Sequence, residues 1–162
     1  MISICLKPFS RRISSLFVPV LVLLLFVLAP STATAQRSKG DDDKPIFSEF
    51  RGVHLGMTST DVRKKLGNPQ DKGDDQDVFM FNDNEAVQVY YDKGAVMAIS
   101  VNYMTGAKQI PTCKEILGVD VEAKADGSIY KLVRYLKAGY WVSWSRTAGN
   151  EAMVTITMQK IQ

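Results

Sequence analysis

Ala86-Val87-Gln88-Val89-Tyr90-Tyr91-Asp92-Lys93-Gly94-Ala95-Val96-Met97-Ala98-Ile99-Ser100-Val101-Asn102-Tyr103 is the stretch whose reading decides the fold. Apolar and polar residues alternate on both sides of Asp92-Lys93-Gly94, and alternation around a short glycine turn is the mark of an antiparallel hairpin. Period two predicts that Val87, Val89 and Tyr91 share the core face, as do Met97, Ile99, Val101 and Tyr103, while Gln88 and Tyr90 face away. A slip of one residue in register would exchange the two faces.

Upstream, Asn82-Asp83-Asn84 is a second turn, and residues 78–81 read as a third strand. Before it stands a well-marked helix. Thr58 caps it, Asp61 completes a capping-box pair, and Met57 and Val62 flank the cap as a hydrophobic staple. Val62 and Leu66 share one face, Arg63-Lys64-Lys65 reads as the solvated face, and Gly67-Asn68-Pro69 stops the helix after about two turns. The segment 70–76 between helix and strand reads as a polar loop.

Downstream the order recurs. Thr112 and Glu115 form a second capping-box pair before Ile116-Leu117-Gly118, with room for about one helical turn. Strands follow over residues 129–136, 140–145 and 152–159, joined by Lys137-Ala138-Gly139 and Thr147-Ala148-Gly149-Asn150. Leu66-Gly67 corresponds to Leu117-Gly118, and 96–101 to 153–158. The expected fold is α+β: two degenerate repeats, about 51–103 and 110–159, each a short helix followed by a three-stranded antiparallel meander, with the sheet packed against the helices.

The N-terminal 35 residues read as a signal peptide. Lys7, Arg11 and Arg12 precede an apolar run over residues 16–29, and Ala33-Thr34-Ala35 supplies a small-residue cleavage site. The run is shorter than the roughly 20 apolar residues a membrane span needs, and the expected cut falls after Ala35. No cysteine stands at the end of the run to carry a lipid, so no stable membrane insertion is expected after cleavage. Residues 36–45 are polar and read as a flexible leader to a single domain over 46–162. The predicted localisation is periplasmic or secreted.

The signal takes three of the chain's 20 Lys and Arg and none of its 17 Asp and Glu, so the mature chain carries 17 of each. That neutrality argues against nucleic acid as a partner, which calls for clustered excess of Lys and Arg. One cysteine, Cys113, remains in the mature chain, so no intramolecular disulfide is expected. At a helix start its thiol would be acidified, which makes it a redox candidate; the preferred reading is a small buried apolar residue.

His54 is the only histidine, which removes most histidine-dependent triads and zinc sites. His54 itself, between Val53 and Leu55, reads as an exposed strand residue. The carboxylates Asp71, Asp74, Asp75 and Asp77 are the weak metal candidate, since hard cations take clustered oxygens. Gly73 and Gln76 stand where an EF-hand needs a ligand and a glycine, so a solvated loop is preferred. Asp41-Asp42-Asp43 is read the same way. Neither a cofactor nor an enzymatic activity is expected.

Aromatic surface remains. If Tyr140, Val142 and Trp144 turn inward, Trp141 turns outward, as Tyr90 does on its own strand, and Tyr130 and Arg134 join them from the preceding strand. Tyr, Trp and Arg dominate binding hot spots. Tyr90, Tyr130, Arg134, Trp141 and Met153 are therefore the candidate partner-binding residues. The competing reading has these rings completing the core or stacking across strands.

Val53-His54-Leu55-Gly56-Met57-Thr58, Asp61-Val62, Leu66-Gly67-Asn68-Pro69 and Ala95-Val96-Met97-Ala98-Ile99 together resemble the SmpA/OmlA family of small outer-membrane assembly lipoproteins, over roughly residues 51–103. In tandem, such a unit resembles the bacterial β-lactamase inhibitor proteins, which present a concave sheet to an enzyme. The chain lacks the lipidation cysteine of the first family and the paired cysteines of the second. The resemblance implies fold more than chemistry and brings no catalytic residues. It implies an envelope protein that binds an exported or outer-membrane protein, in outer-membrane assembly or maintenance, with an enzyme inhibitor as an alternative. The alternative from another class is a ligand- or metal-binding accessory protein using the acidic loop 71–77.

Overall fold

The expected hairpin is formed around its Lys93-Gly94 turn. A computed structural model describes residues 44–162; the signal segment, its cleavage site and most of the leader, Asp41-Asp42-Asp43 included, lie outside the described residues. β3 (Glu85–Asp92) and β4 (Ala95–Tyr103) pair antiparallel. Lys93 and Gly94 between them have φ of 50° and 75°. Two positive φ values in a two-residue loop match the right-handed twist of the strands it joins, and glycine takes the second without strain.

Around this hairpin lie α1 (Ser59–Leu66), β1 (Asp71–Lys72), β2 (Gln76–Asn82), α2 (Cys113–Leu117), β5 (Ile129–Tyr135), β6 (Tyr140–Arg146) and β7 (Val154–Lys160). The seven strands make one sheet in the order β1-β2-β3-β4-β7-β6-β5, and every neighbouring pair is antiparallel. This corrects the expected α+β class of two helix-plus-meander repeats. The described residues form mostly one antiparallel sheet, with helices of 8 and 5 residues. β4 and β7 are laddered over six register pairs, from Ala98 opposite Gln159 to Tyr103 opposite Val154, so no boundary separates two meanders. The stretch taken for a loop supplies the extra strand, β1.

A second correction concerns faces. Tyr90 stands opposite Ala98 and Tyr91 opposite Val96, so Met97 is an extra residue in β4. Such a bulge locally resets the alternation. Val96 therefore turns inward and is buried, with Ile99, Val101 and Tyr103, whereas Met97 is half-buried beside Tyr90 and Ala98 on the other side.

The core lies between one face of the sheet and the two helices. Val87, Val89, Ile99, Val101, Val142, Ile156 and Met158 from the sheet meet Val62 of α1 and Ile116 and Leu117 of α2. Burying a side chain of this size contributes about 1.5–3 kcal/mol, which two short helices could not supply alone. The entry segment is latched at the rim by Arg51, whose guanidinium lies 3.9 Å from the Phe81 ring centroid and donates to Glu85 at 2.8 Å.

α2, expected at about one turn, is a real helix with a full capping box. The Thr112 hydroxyl accepts from the Glu115 N–H, and the Glu115 carboxylate accepts from the Thr112 N–H at 2.7 Å. The Thr112 N–H, together with the Thr112 hydroxyl, which donates to the same carboxylate oxygen at 2.9 Å, holds the Glu115 carboxyl below its usual range. Thr112→Ala is expected to lower stability by about 1 kcal/mol, read as a lower urea midpoint with an unchanged slope.

Arg63 is not on a solvated face. Its guanidinium reaches from α1 to Asp77 of β2 with two bonds, of 2.8 and 2.9 Å, and also donates to the Gly73 carbonyl at 3.1 Å. Tyr91 Oη–H donates to the same carboxylate at 2.7 Å, and the Gly73 N–H at 3.3 Å. Asp77 is 0% exposed. Its isolation from water is compensated by a bidentate cation, a hydroxyl and an amide, the condition under which a buried charge is tolerated.

Candidate functional site

One face of the sheet carries the helices; the opposite face is the candidate site. Residues directly opposite on antiparallel strands share a face, so the register lists its side chains. One row crosses six strands as Arg134, Trp141, Gln159, Ala98, Tyr90 and Gln76. A second runs Leu132, Ser143, Thr157, Ser100, Gln88 and Val78, and a third Tyr130, Ser145, Thr155, Asn102, Ala86 and Met80.

Four of the five candidate partner-binding residues are on this face. Trp141 is half-buried and set directly against Arg134; Tyr90 is half-buried three strands away, about 14 Å at the usual strand spacing. Tyr130 is 57% exposed on the edge strand β5, four residues from Arg134. Met153 is not with them. It precedes β7 at the far end of the β6–β7 hairpin, where its N–H donates to the Thr147 hydroxyl, about 20 Å along the strands from Trp141.

Between the aromatic ends the floor is low, because Ala98 has no bulk. Tyr90, Met97, Ala98, Ser100, Thr157 and Gln159 enclose a shallow depression of about 360 Å³ there. Sequence reasoning missed Met97, Ser100, Thr157 and Gln159 as site residues. The alternation of β7 would have placed Thr157 and Gln159 on this face, whereas the bulge that delivers Met97 has no local signal.

Three pairs of polar side chains on the face bond to one another. Ser100 and Thr157 hydroxyls lie 3.2 Å apart across β4 and β7, Thr155 donates to Asn102 at 2.9 Å, and Tyr90 Oη–H donates to Gln88 at 2.8 Å. Across the three rows the charged group is Arg134. Such a face is pre-ordered, which lowers the entropy lost on docking.

The other candidates fall elsewhere. Asp71, Asp74 and Asp75 are exposed and Asp77 is turned inward to Arg63, so the four carboxylates do not converge. Among the described residues no group of three or more His, Cys, Asp or Glu could hold a metal ion. Burial raises the Asp77 pKa on its own, but Arg63, Tyr91 and the Gly73 amide together outweigh it and hold the carboxyl below its usual range. The Tyr91 phenol is pushed up by burial and by the Asp77 carboxylate.

Cys113 begins α2 but is buried, beside a depression of about 400 Å³ that it lines with Ile129, Trp144 and Val154. Burial pushes its thiol up, the reverse of the acidification expected at a helix start. A raised pKa leaves less thiolate, which does not favour redox chemistry at Cys113. His54 is exposed, with Nδ1 3.1 Å from the Leu55 carbonyl. Among the described residues no helix is long and apolar enough to cross a membrane.

Comparison of the chain with family models, with curated proteins and with solved structures finds no match.

Proposed function

We propose that this chain is an exported, non-enzymatic protein of a bacterial cell envelope that binds another exported or outer-membrane protein on the open face of its sheet. The observation that carries the reading is the row from Arg134 through Trp141, Gln159 and Ala98 to Tyr90, in which large hot-spot residues flank a low, neutral floor on the side away from the helices. A few aromatic or arginine anchors supply most of the affinity of an interface, and the polar groups around them set fit. Hydroxyls already bonded to one another are suited to complementarity and poorly placed as nucleophiles, which need an adjacent base. Export is inferred from the signal pattern of residues 1–35, and the likeness of residues 51–103 to SmpA/OmlA domains directs the search for the partner to the outer membrane.

The test is crosslinking of the tagged chain in its native host, with captured proteins identified by mass spectrometry and the Trp141→Ala variant run alongside. One dominant exported or outer-membrane protein, captured by the parent and lost in the variant, is the expected result. A capture profile identical for the two chains would remove the open face from the account.

A further inference from the structure

The two edges of the sheet are unlike. At one, β1 is two exposed residues long and the β2–β3 pairing is broken by a bulge between Met80 and Asn82, devices that blunt an edge against further pairing. At the other, β5 runs for seven residues, and among the described residues it pairs with β6 alone. A strand of that length presents alternate backbone N–H and C=O groups along its outer side. Its outward side chains include the exposed Tyr130 and the half-buried Leu132.

We propose that β5 is the pairing edge for a second copy of this chain, joined antiparallel about a two-fold axis at Leu132. Such an axis, normal to the sheet, keeps every residue on its own face and therefore passes through a residue. Centred on Lys131 or on Arg134, it would set like charges directly opposite, which destabilises a pair. Centred on Val133, it would run the pairing past Tyr135 into the turn before β6. Leu132, the middle of the strand, gives the longest overlap and opposes no like charges. There Leu132 meets itself, Lys131 meets Val133, and Tyr130 meets Arg134, an aromatic–guanidinium contact made twice by symmetry.

This register keeps the open faces of both copies on one side and does not depend on the partner proposed above. One strand pairing buries less than a standard interface, so the association is reversible, with Kd on the order of micromolar.

Sedimentation velocity of the chain over a range of concentrations tests it, with Leu132→Lys and Leu132→Asp as separate variants and mixed. The parent is expected to move from monomer to dimer as concentration rises. Each variant, with a like charge opposing its own, is expected to dimerise about tenfold more weakly or less, and the equimolar mixture to recover the dimer through a Lys–Asp pair. Recovery in the mixture also shows that both variants are folded. Tyr130→Arg, which sets arginine against Arg134 at an exposed position, is expected to weaken dimerisation without touching Leu132. A parent that stays monomeric, variants that dimerise as the parent does, or a mixture that stays monomeric would overturn the proposal.

Discussion

Asp77→Ala is expected to lower the stability of the fold by about 3 kcal/mol, about 10 °C in melting temperature for a domain of this size. The carboxylate is the common acceptor of Arg63 on α1 and Tyr91 on β3, so its removal strips a buried phenol of its partner and cuts the polar tie between helix and sheet. Removing one member of a buried ion pair costs about 3–5 kcal/mol. The lower end applies, because the Arg63 side chain is 26% exposed and can turn to water. Urea unfolding of parent and variant measures the difference.

The same group makes the stability pH-dependent in a definite sense. Its carboxyl titrates below the usual range in the folded chain, so the folded state binds a proton less readily than the unfolded one. The stabilisation is complete above the unfolded carboxylate pKa of about 4 and is lost as pH falls through the depressed folded value. The gap in urea midpoint between parent and Asp77→Ala should therefore be widest near neutrality and narrow below about pH 4. A gap that stays constant into acid would mean that Asp77 is not the titrating group.

Trp141→Ala carries the second large effect, on binding. Trp141 stands between Arg134 and Gln159 on the open face, so a docked partner would desolvate the ring and lock the guanidinium beside it. Truncating such an anchor costs about 2 kcal/mol, roughly thirtyfold in affinity. Calorimetric titration of the captured partner against parent and variant gives the value. The fold should hold, because Trp141 is half-exposed and its removal opens no core cavity, so circular dichroism and melting temperature should change little. Arg134→Ala, at the exposed end of the same row, should weaken binding less.

How far these features could be read from sequence depended on the range of the interaction that sets them. The β3–β4 hairpin was legible because alternation and Lys93-Gly94 are both local, and the two helix starts because Thr58 and Thr112 each act on a group three residues away. The face that carries Tyr90, Trp141, Tyr130 and Arg134 followed from period two. Met97 did not, since a bulge is decided by how β4 meets β3. Asp77 could not be told from the exposed acids before it, because its burial depends on Arg63 and Tyr91, each fourteen residues away. β1, two polar residues, has no pattern to read. The joining of β4 to β7 bridges more than fifty residues, which is why two separate repeats were expected where one continuous sheet is found.

The central claim is that the open face, and not the helix face, meets the partner. Photocrosslinking residues placed one at a time at Thr157 on the open face and at Lys64 on the exposed side of α1, in the native host, test it most directly. The account predicts one dominant crosslinked species from Thr157 that disappears when Trp141→Ala is added, and no counterpart from Lys64. A dominant species from Lys64 with none from Thr157 would contradict it.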